Sequence, residues 1–480
     1  MGTADGTLRT RRPRRARPWI TAVTGVLVAG ALGVASLDLT GRLPGGLVTD
    51  RPTPALSTAR PLDPDPVAAP DVLAAQPASS APAVPVAALD AVLTSGALGP
   101  GPGALVLDVE SAAALLDRSG DVPRIPASVA KLVTGAAALV TLDVGSRLST
   151  RVVRGATPGE VVLVGGGDTT LTTRPGPGGG YPARASLAEL ADSTAATLLA
   201  AGTGEVVVRV DAGLFEGPSV SPDWRPTYVA AGVVAPVSAL SVDTGRVSPH
   251  SVAREPDPAL AAGRALVRLL SRRGVTVSDE VTRTPAPPGA DEIAAVSSAT
   301  VGELVELMLT TSDNDLAESV LRLVAVAAGR PGTFTDGSAV AVQVLLDLGV
   351  PTDGLVLLDG SGLARGSTIA PETLARLLVT AADGSRPELG HLLGGLPVAG
   401  FSGTLSLRFG AGRPGTAAGL VRAKSGTLTG VSTLAGIAPV AGRPVVFVVM
   451  ADSGTADALT ARDALDGFAA TLVGVGRTAG

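Results

Sequence analysis

Aromatic side chains make up only 2% of this 480-residue chain, with six Phe, two Trp and two Tyr. That shortage constrains the fold more than any other feature. Hydrophobic residues still reach 45%, so a sizeable core can form, but Ala, Val and Leu must build it. The length suffices for two or three domains of about 150 residues each. Gly (61) and Pro (38) are plentiful and follow no collagen-like period. Cysteine is absent, which removes disulfides, thiolate zinc sites and cysteine nucleophiles together. The two histidines, His250 and His391, argue against a His-rich metal centre, and no cofactor is implied.

Charge is unevenly placed. Residues 1–18 form an Arg-rich arm of six arginines against Asp5, a net +5. The rest of the chain therefore carries −10 of the total −5. An acidic body without a basic patch gives no case for nucleic-acid binding. After the arm, Trp19 to Leu37 is an uncharged, mostly apolar run. Its length matches a bilayer, and the flanking arginines favour a cytoplasmic N-terminus. Residues 19–37 thus read as a signal-anchor or a signal peptide, with Gly33-Val34-Ala35 as a small-residue cleavage site. Residues 38–86 are rich in Pro, Ala, Asp and Ser and lack apolar periodicity, the mark of an extended spacer.

Globular patterning starts near Ala87. Gly103 to Glu110 and Ala112 to Asp117 read as a strand pair, and Ser128 to Leu142 as a helix. Further on, Glu160 to Val164 and Glu205 to Val210 read as strands, Leu187 to Ala201 and Leu260 to Arg273 as helices. Ser432 to Pro439 and Val445 to Met450 read as strands around a turn at Ala441-Gly442, with a closing helix from about Thr455 to Val473. Strands at both ends with helices between predict one antiparallel sheet built from the two termini. Residues 87–150 and 298–480 then form one domain, interrupted by an insertion over 151–297.

Residue economy points to the chemistry. Among 38 Lys plus Arg there are only two lysines, Lys131 and Lys424, and the chain has one asparagine, Asn314. Lys can give up its proton in a protein, whereas Arg cannot. Lys131 lies in Ser128-Val-Ala-Lys131, where positions i and i+3 share a helix face. A helix N-terminus disfavours a protonated lysine there. A neutral amine beside a hydroxyl is a nucleophile–base pair that needs no histidine. Asn314 lies in Ser312-Asp-Asn314, and Lys424 in Lys424-Ser425-Gly426-Thr427. S-x-x-K, S-D-N and K-T-G, in that order, mark penicillin-interacting serine enzymes. All three occur here in order, the last as K-S-G, and they use every Lys and Asn in the chain. Ser128 is then the expected nucleophile and Lys131 its base. Ser312 can relay a proton to the leaving amine, and Asn314 can hold Lys131 and a substrate amide. Lys424 offers fixed positive charge for a substrate carboxylate. Gly426 leaves room for a substrate backbone along its strand, and the N–H groups of Ser128 and Thr427 suit an oxyanion hole.

These residues resemble the D-Ala-D-Ala carboxypeptidases and endopeptidases of the class C, low-molecular-mass penicillin-binding proteins. The resemblance runs from about residue 90 to 455. It includes Gly165-Gly-Gly-Asp168-Thr-Thr-Leu171, Phe215-Glu-Gly-Pro218, Ala235 to Leu240, Asp359-Gly-Ser-Gly-Leu363, Leu396 to Gly400 and Gly403-Thr-Leu405. It departs at Ser425, where Thr is commoner, and at Thr169, which replaces Pro. The resemblance implies an α+β fold, a penicillin-binding protein/serine β-lactamase-like domain with an antiparallel sheet flanked by helices. It also implies extra domains inserted between the S-x-x-K and S-x-N motifs, in keeping with the 184 residues from Ser128 to Ser312. It implies hydrolysis of peptidoglycan stem peptides ending in D-Ala-D-Ala, β-lactam antibiotics as covalent inhibitors, and an extracytoplasmic enzyme, anchored by residues 19–37 or secreted after cleavage. A serine β-lactamase and a catalytically silent wall-binding protein are the alternatives. The long insertion argues against the first and the intact motifs against the second.

Other signals are weaker. Gly410-Ala-Gly412-Arg-Pro-Gly415 matches G-x-G-x-x-G but reads as a surface loop. Neither histidine sits in a recognisable Ser-His-Asp arrangement. Asp168 suits a loop cap better than a substrate contact. Glu318, one helical turn past Asn314, suits either support of the site or a solvated helix face.

Overall fold

The structure is a computed structural model that describes Gly2 and residues 82–176, 180–248, 251–410, 413–452, 454 and 457–474. The Arg-rich arm, the apolar run 19–37 and nearly all of the Pro-rich spacer lie outside the described residues. Among the described residues no helix is long and apolar enough to cross a membrane.

Two five-stranded sheets organise residues 82–474. The first joins β1 (Gly103–Asp108), β2 (Ala114–Arg118), β8 (Arg422–Leu428), β9 (Val431–Val440) and β10 (Arg443–Ala451) in the order β2-β1-β10-β9-β8. Every ladder in it is antiparallel, and the chain ends meet where Gly103 pairs with Met450 and Asp108 with Val445. Both faces of this sheet are covered. Val446, Val448 and Met450 of β10 face one core with Leu105 and Leu107 of β1. Val445, Phe447 and Val449 face the other with Ala104 and Val106. This period-two alternation explains why apolar runs without polar breaks form these strands.

The first core packs the helices Lys131–Thr141, Val301–Thr311, Asn314–Ala327, Phe334–Asp347 and Pro371–Ala382 against the sheet. The second packs the helices Val86–Leu93 and Ala458–Val473. Ala136, Ala137 and Ala138 are all fully buried in the Lys131–Thr141 helix, whose small side chains let neighbours approach closely. An aliphatic core thus replaces the missing aromatics. The result is the expected α+β architecture.

The second sheet lies between the two halves of the first in sequence. It contains β3 (Arg147–Arg154), β4 (Glu160–Val164), β5 (Val206–Asp211), β6 (Val277–Arg283) and β7 (Glu292–Thr300), ordered β6-β5-β4-β3-β7. The β4–β5 and β5–β6 ladders are parallel, whereas β3 runs antiparallel to β4 and β7. The helices Leu187–Ala200 and Pro258–Ser271 complete its own core. Residues 213–237 lead away from this sheet before Leu240 and Val242 return to its core. Trp224, Val234 and Val237 there cluster with Phe334, Leu363 and Ala364 of the first unit. Trp224 meets Phe334 edge to face at 5.5 Å. The buried Arg322 guanidinium lies 4.2 Å from the Phe334 ring centroid and donates to the carbonyls of Glu216 and Pro218.

Candidate active site

The turn before Ser128 is tied down on both sides. Asp452 accepts the Ile125 N–H at 3.1 Å and pairs with Arg124 at 3.2 Å. Thr433 on β9 donates to the Pro126 carbonyl at 2.9 Å. Ala127 is driven to φ 48, a left-handed conformation that opposes a Cβ by about 1–2 kcal/mol. The sequence suggests one helix from Ser128. Instead, Ala127–Ala130 is a 3₁₀ segment, and the α-helix begins at Lys131. A 3₁₀ turn repeats every three residues and brings Ser128 and Lys131 onto one side. Ser128 is half-buried and Lys131 fully buried.

Lys131 Nζ donates to Ser128 Oγ at 3.2 Å, to Asn314 Oδ1 at 2.8 Å and to the Ser361 carbonyl at 2.8 Å. No carboxylate lies within ion-pair distance of it among the described residues. Burial is the main cause that lowers its ammonium to about 8, and the charges of Glu318, Asp359, Asp313 and Asp315 push back. The amine is therefore poised to lose and regain a proton near neutral pH. Its place at the helix start agrees with the dipole argument, but desolvation dominates.

Ser312 ends the helix Val301–Thr311 in a left-handed conformation (φ 58, ψ 41), and the Asp313 side chain caps the next helix. The turn between them presents Asn314. Its Nδ2 donates to the Val233 carbonyl at 2.9 Å, which turns Oδ1 toward Lys131. Asp315 accepts the Ala235 N–H at 2.6 Å and pairs with the buried Arg254 at 3.0 Å. Residues 233–254 thus grip the Asn314 turn from outside the first sheet.

Lys424 on β8 is fully buried. It donates to Ser312 Oγ at 2.9 Å and to the Ser425 carbonyl at 2.7 Å. Both partners are neutral. Burial, with the charges of Lys131 and Arg408, holds its ammonium well below the ordinary lysine value. Its positive charge is therefore less fixed than the sequence suggests. Ser425 Oγ meets Thr404 Oγ1 at 3.0 Å, and Thr427 is exposed. A Cβ at Gly426 would overlap Thr433 Oγ1 and sit 2.9 Å from both Pro126 O and Ser128 N. The requirement for glycine here is internal close packing against the Ser128 turn.

Ser128, Lys131 and Asn314 thus form one hydrogen-bonded group, and Ser312 and Lys424 a second. No direct hydrogen bond joins Ser312 to Ser128 or Lys131 among the described residues. Sequence reasoning missed Val233, Arg254 and Thr433 as neighbours of the site. Asp359 and Ser361 drew notice only within a resembling motif. Glu318 is fully buried, so its solvated-face reading is wrong. Asp168 accepts the Thr170 N–H at 2.8 Å and so caps its own loop. His391 Nδ1 meets Glu306 Oε1 at 2.7 Å, and His250 lies outside the described residues. Arg413–Ala417 is a 3₁₀ segment in the glycine-rich stretch, not the start of a phosphate-binding helix.

Residues 86–256 and 250–472 match the D-Ala-D-Ala carboxypeptidase 3 (S13) family. The chain is 39% identical over 375 residues to carboxypeptidase DacB of Mycolicibacterium smegmatis, covering 76% of this chain and 79% of that protein. It is 30% identical over 438 residues to a D-alanyl-D-alanine carboxypeptidase of Actinomadura sp. (strain R39), covering 73% and 78%. Penicillin binding protein 4 of Haemophilus influenzae shares the fold, with TM-score 0.66, 22% identity and coverage of 80% of this chain and 98% of that one. The chain belongs to the D-Ala-D-Ala carboxypeptidase 3 (S13) family and is a serine carboxypeptidase of the penicillin-binding class.

Proposed function

We propose that this carboxypeptidase acts on peptidoglycan stem peptides through an acyl-enzyme on Ser128, with Lys131 as general base. Ser128 Oγ adds to the carbonyl carbon before the terminal D-Ala, and its proton passes to Lys131 Nζ. The backbone N–H groups of Ser128 and Thr427 receive the oxyanion. Collapse breaks the peptide C–N bond, and the departing amine takes the proton back from Lys131, with Ser312 Oγ as the relay once bound substrate bridges the two hydrogen-bonded groups. Water then adds to the ester, gives its proton to Lys131, and releases the shortened peptide with Ser128 restored. Asn314 holds the lysine in reach. Lys424, Ser425, Gly426 and Thr427 form the edge along which the substrate lies, with its carboxylate as the missing counter-charge for Lys424. A β-lactam would enter the same first step and acylate Ser128. The same chemistry on a cross-linked stem peptide would give endopeptidase activity.

The observation that carries this reading is the buried lysine within hydrogen-bond reach of both Ser128 Oγ and Asn314 Oδ1. Peptidoglycan lies outside the membrane, so the catalytic unit is proposed to work there, held by residues 19–37 or released after cleavage. Mass spectrometry of penicillin-treated protein tests the chemistry. The adduct is expected on the peptide that carries Ser128, and Lys131→Arg should form none at a measurable rate, since arginine cannot act as a base. An adduct on another serine, or native acylation by Lys131→Arg, would overturn the assignment. Rapid nitrocefin turnover would instead mark a β-lactamase.

A further inference from the structure

Behind Lys131 lie two carboxylates that none of the three motifs contains. Glu318 is fully buried on the Asn314–Ala327 helix, and Asp359 is fully buried at the start of the turn Asp359 to Ala364. Each uses both oxygens as acceptors. Glu318 receives the N–H groups of Gly360 at 2.8 Å and Ser361 at 2.9 Å. Asp359 receives those of Gly362 at 2.9 Å and Ala364 at 2.8 Å, with Trp224 Nε1 at 2.8 Å. Four backbone N–H groups of one short turn therefore end on two buried acids.

That turn faces the base. The Ser361 carbonyl accepts Lys131 Nζ at 2.8 Å, and the Gly360 carbonyl accepts Thr134 Oγ1 at 2.7 Å. A Cβ on Gly362 would overlap the Ala127 carbonyl beside the nucleophile. The turn thus touches the Ser128 segment from below and the lysine from behind. Burial raises both acids, Glu318 up to about 8, while the N–H groups they accept and the charge of Lys131 favour their ionised forms. Here the nearby cation is Lys131. Each time Ser128 is deprotonated, Lys131 becomes an ammonium in a dry interior. The charged groups that face it are Glu318, Asp359, Asp313, Asp315 and Lys424.

Building on the assignment of Lys131 as general base, we propose that Glu318 is a positioning residue for it. Glu318 holds the Ser361 carbonyl against Lys131 Nζ and, with Asp359, supplies the negative charge that stabilises the ammonium formed in each half-reaction. The sign of the pH effect follows. Removal of the Glu318 charge disfavours the ammonium, so Lys131 loses its proton at lower pH and becomes a weaker base. The acid limb of the rate profile then moves to lower pH while the maximal rate falls.

The test measures hydrolysis of a synthetic peptide ending in D-Ala-D-Ala, and acylation by penicillin, across pH on the intact protein. Glu318→Gln should lower kcat and the acylation rate about 10–100-fold, leave KM nearly unchanged and move the acid limb to lower pH. Thr134→Val removes only an uncharged hold on the same turn, so a few-fold loss with an unmoved limb is expected. Native kcat, or an unmoved acid limb, in Glu318→Gln overturns the proposal. Should Glu318→Gln give no cooperative melting transition, Asp359→Asn removes charge from the turn side, and the same limb shift decides. Lys131→Met separates the two readings. If Lys131→Met acylates at the native rate, the base assignment fails. If it is inert while Glu318→Gln behaves as native, only the role of Glu318 fails.

Discussion

Gly426→Ala should damage the enzyme by displacing Ser128, the proposed nucleophile, without replacing any group that does chemistry. Gly426 does not have a left-handed φ, so alanine suits its backbone. The harm is steric. The new methyl would overlap Thr433 Oγ1 and press on Pro126 O and Ser128 N at 2.9 Å, tighter than carbon tolerates against either atom. Overpacking of this kind costs about 1–3 kcal/mol. Thr433 escapes only by rotation, which breaks its 2.9 Å bond to the Pro126 carbonyl for about 1 kcal/mol more. A total loss of about 2–4 kcal/mol in stability follows. A Ser128 N–H displaced from its oxyanion position should also slow acylation by about 10²–10³-fold. Chemical denaturation and the rate of penicillin labelling measure the two effects. Thr433→Ala removes the obstructing oxygen, so the double variant should be less destabilised than the sum of the singles, with a coupling of about 1 kcal/mol or more. Native stability and labelling in Gly426→Ala, or strict additivity with Thr433→Ala, would refute the packing argument.

Lys424→Ala should lower kcat/KM about tenfold to a hundredfold, chiefly through KM, because a charge-assisted bond to the substrate carboxylate contributes about 1.5–3 kcal/mol. Steady-state kinetics should show a native rate that rises with pH as Lys131 loses its proton near about 8, and a rate that stays flat across that range would remove Lys131 from the role of base. For location, a reporter active only outside the cytoplasm, fused at Gly480, should be active on the full chain and silent after deletion of Trp19 to Leu37. An inactive full-length fusion would contradict an extracytoplasmic enzyme.

The fold class was legible because its strongest signals are local. The Val445 to Met450 run alternates between two cores, so an unbroken apolar stretch reads as a doubly buried strand. Strands β3 and β6 were not legible. Arg147, Arg151 and Arg154 interrupt β3, and Ser278-Asp279-Glu280 interrupts β6 at a sheet edge, so their pairing comes from neighbours and not from their own pattern. Rarity of lysine and asparagine led directly to Lys131, Asn314 and Lys424, and the structure gathers them with Ser128 and Ser312 into two separate hydrogen-bonded groups. The conformation of Ala127 left no mark on composition, since tertiary contacts with Thr433 and Asp452 impose it. Glu318 was ambiguous for a related reason. A glutamate one turn along a helix ordinarily faces water, and only its distant turn at Gly360 and Ser361 makes burial tolerable.

The pairing of β1 with β10 has a consequence for the timing of synthesis. Asp108 and its partner Val445 are 337 positions apart. At about 5–20 residues per second, a ribosome needs roughly 17–67 s to travel from one to the other. The second sheet, by contrast, draws all its strands from Arg147 to Thr300 and can be complete while the last third of the chain is still being made. Until β8, β9 and β10 arrive, Ser128 lacks the Thr433 and Asp452 anchors of its turn, and Lys424 does not yet exist. A nascent or C-terminally truncated chain therefore lacks the anchored Ser128 turn, however well its middle has folded. That turn is completed late, when the last strands close against β1.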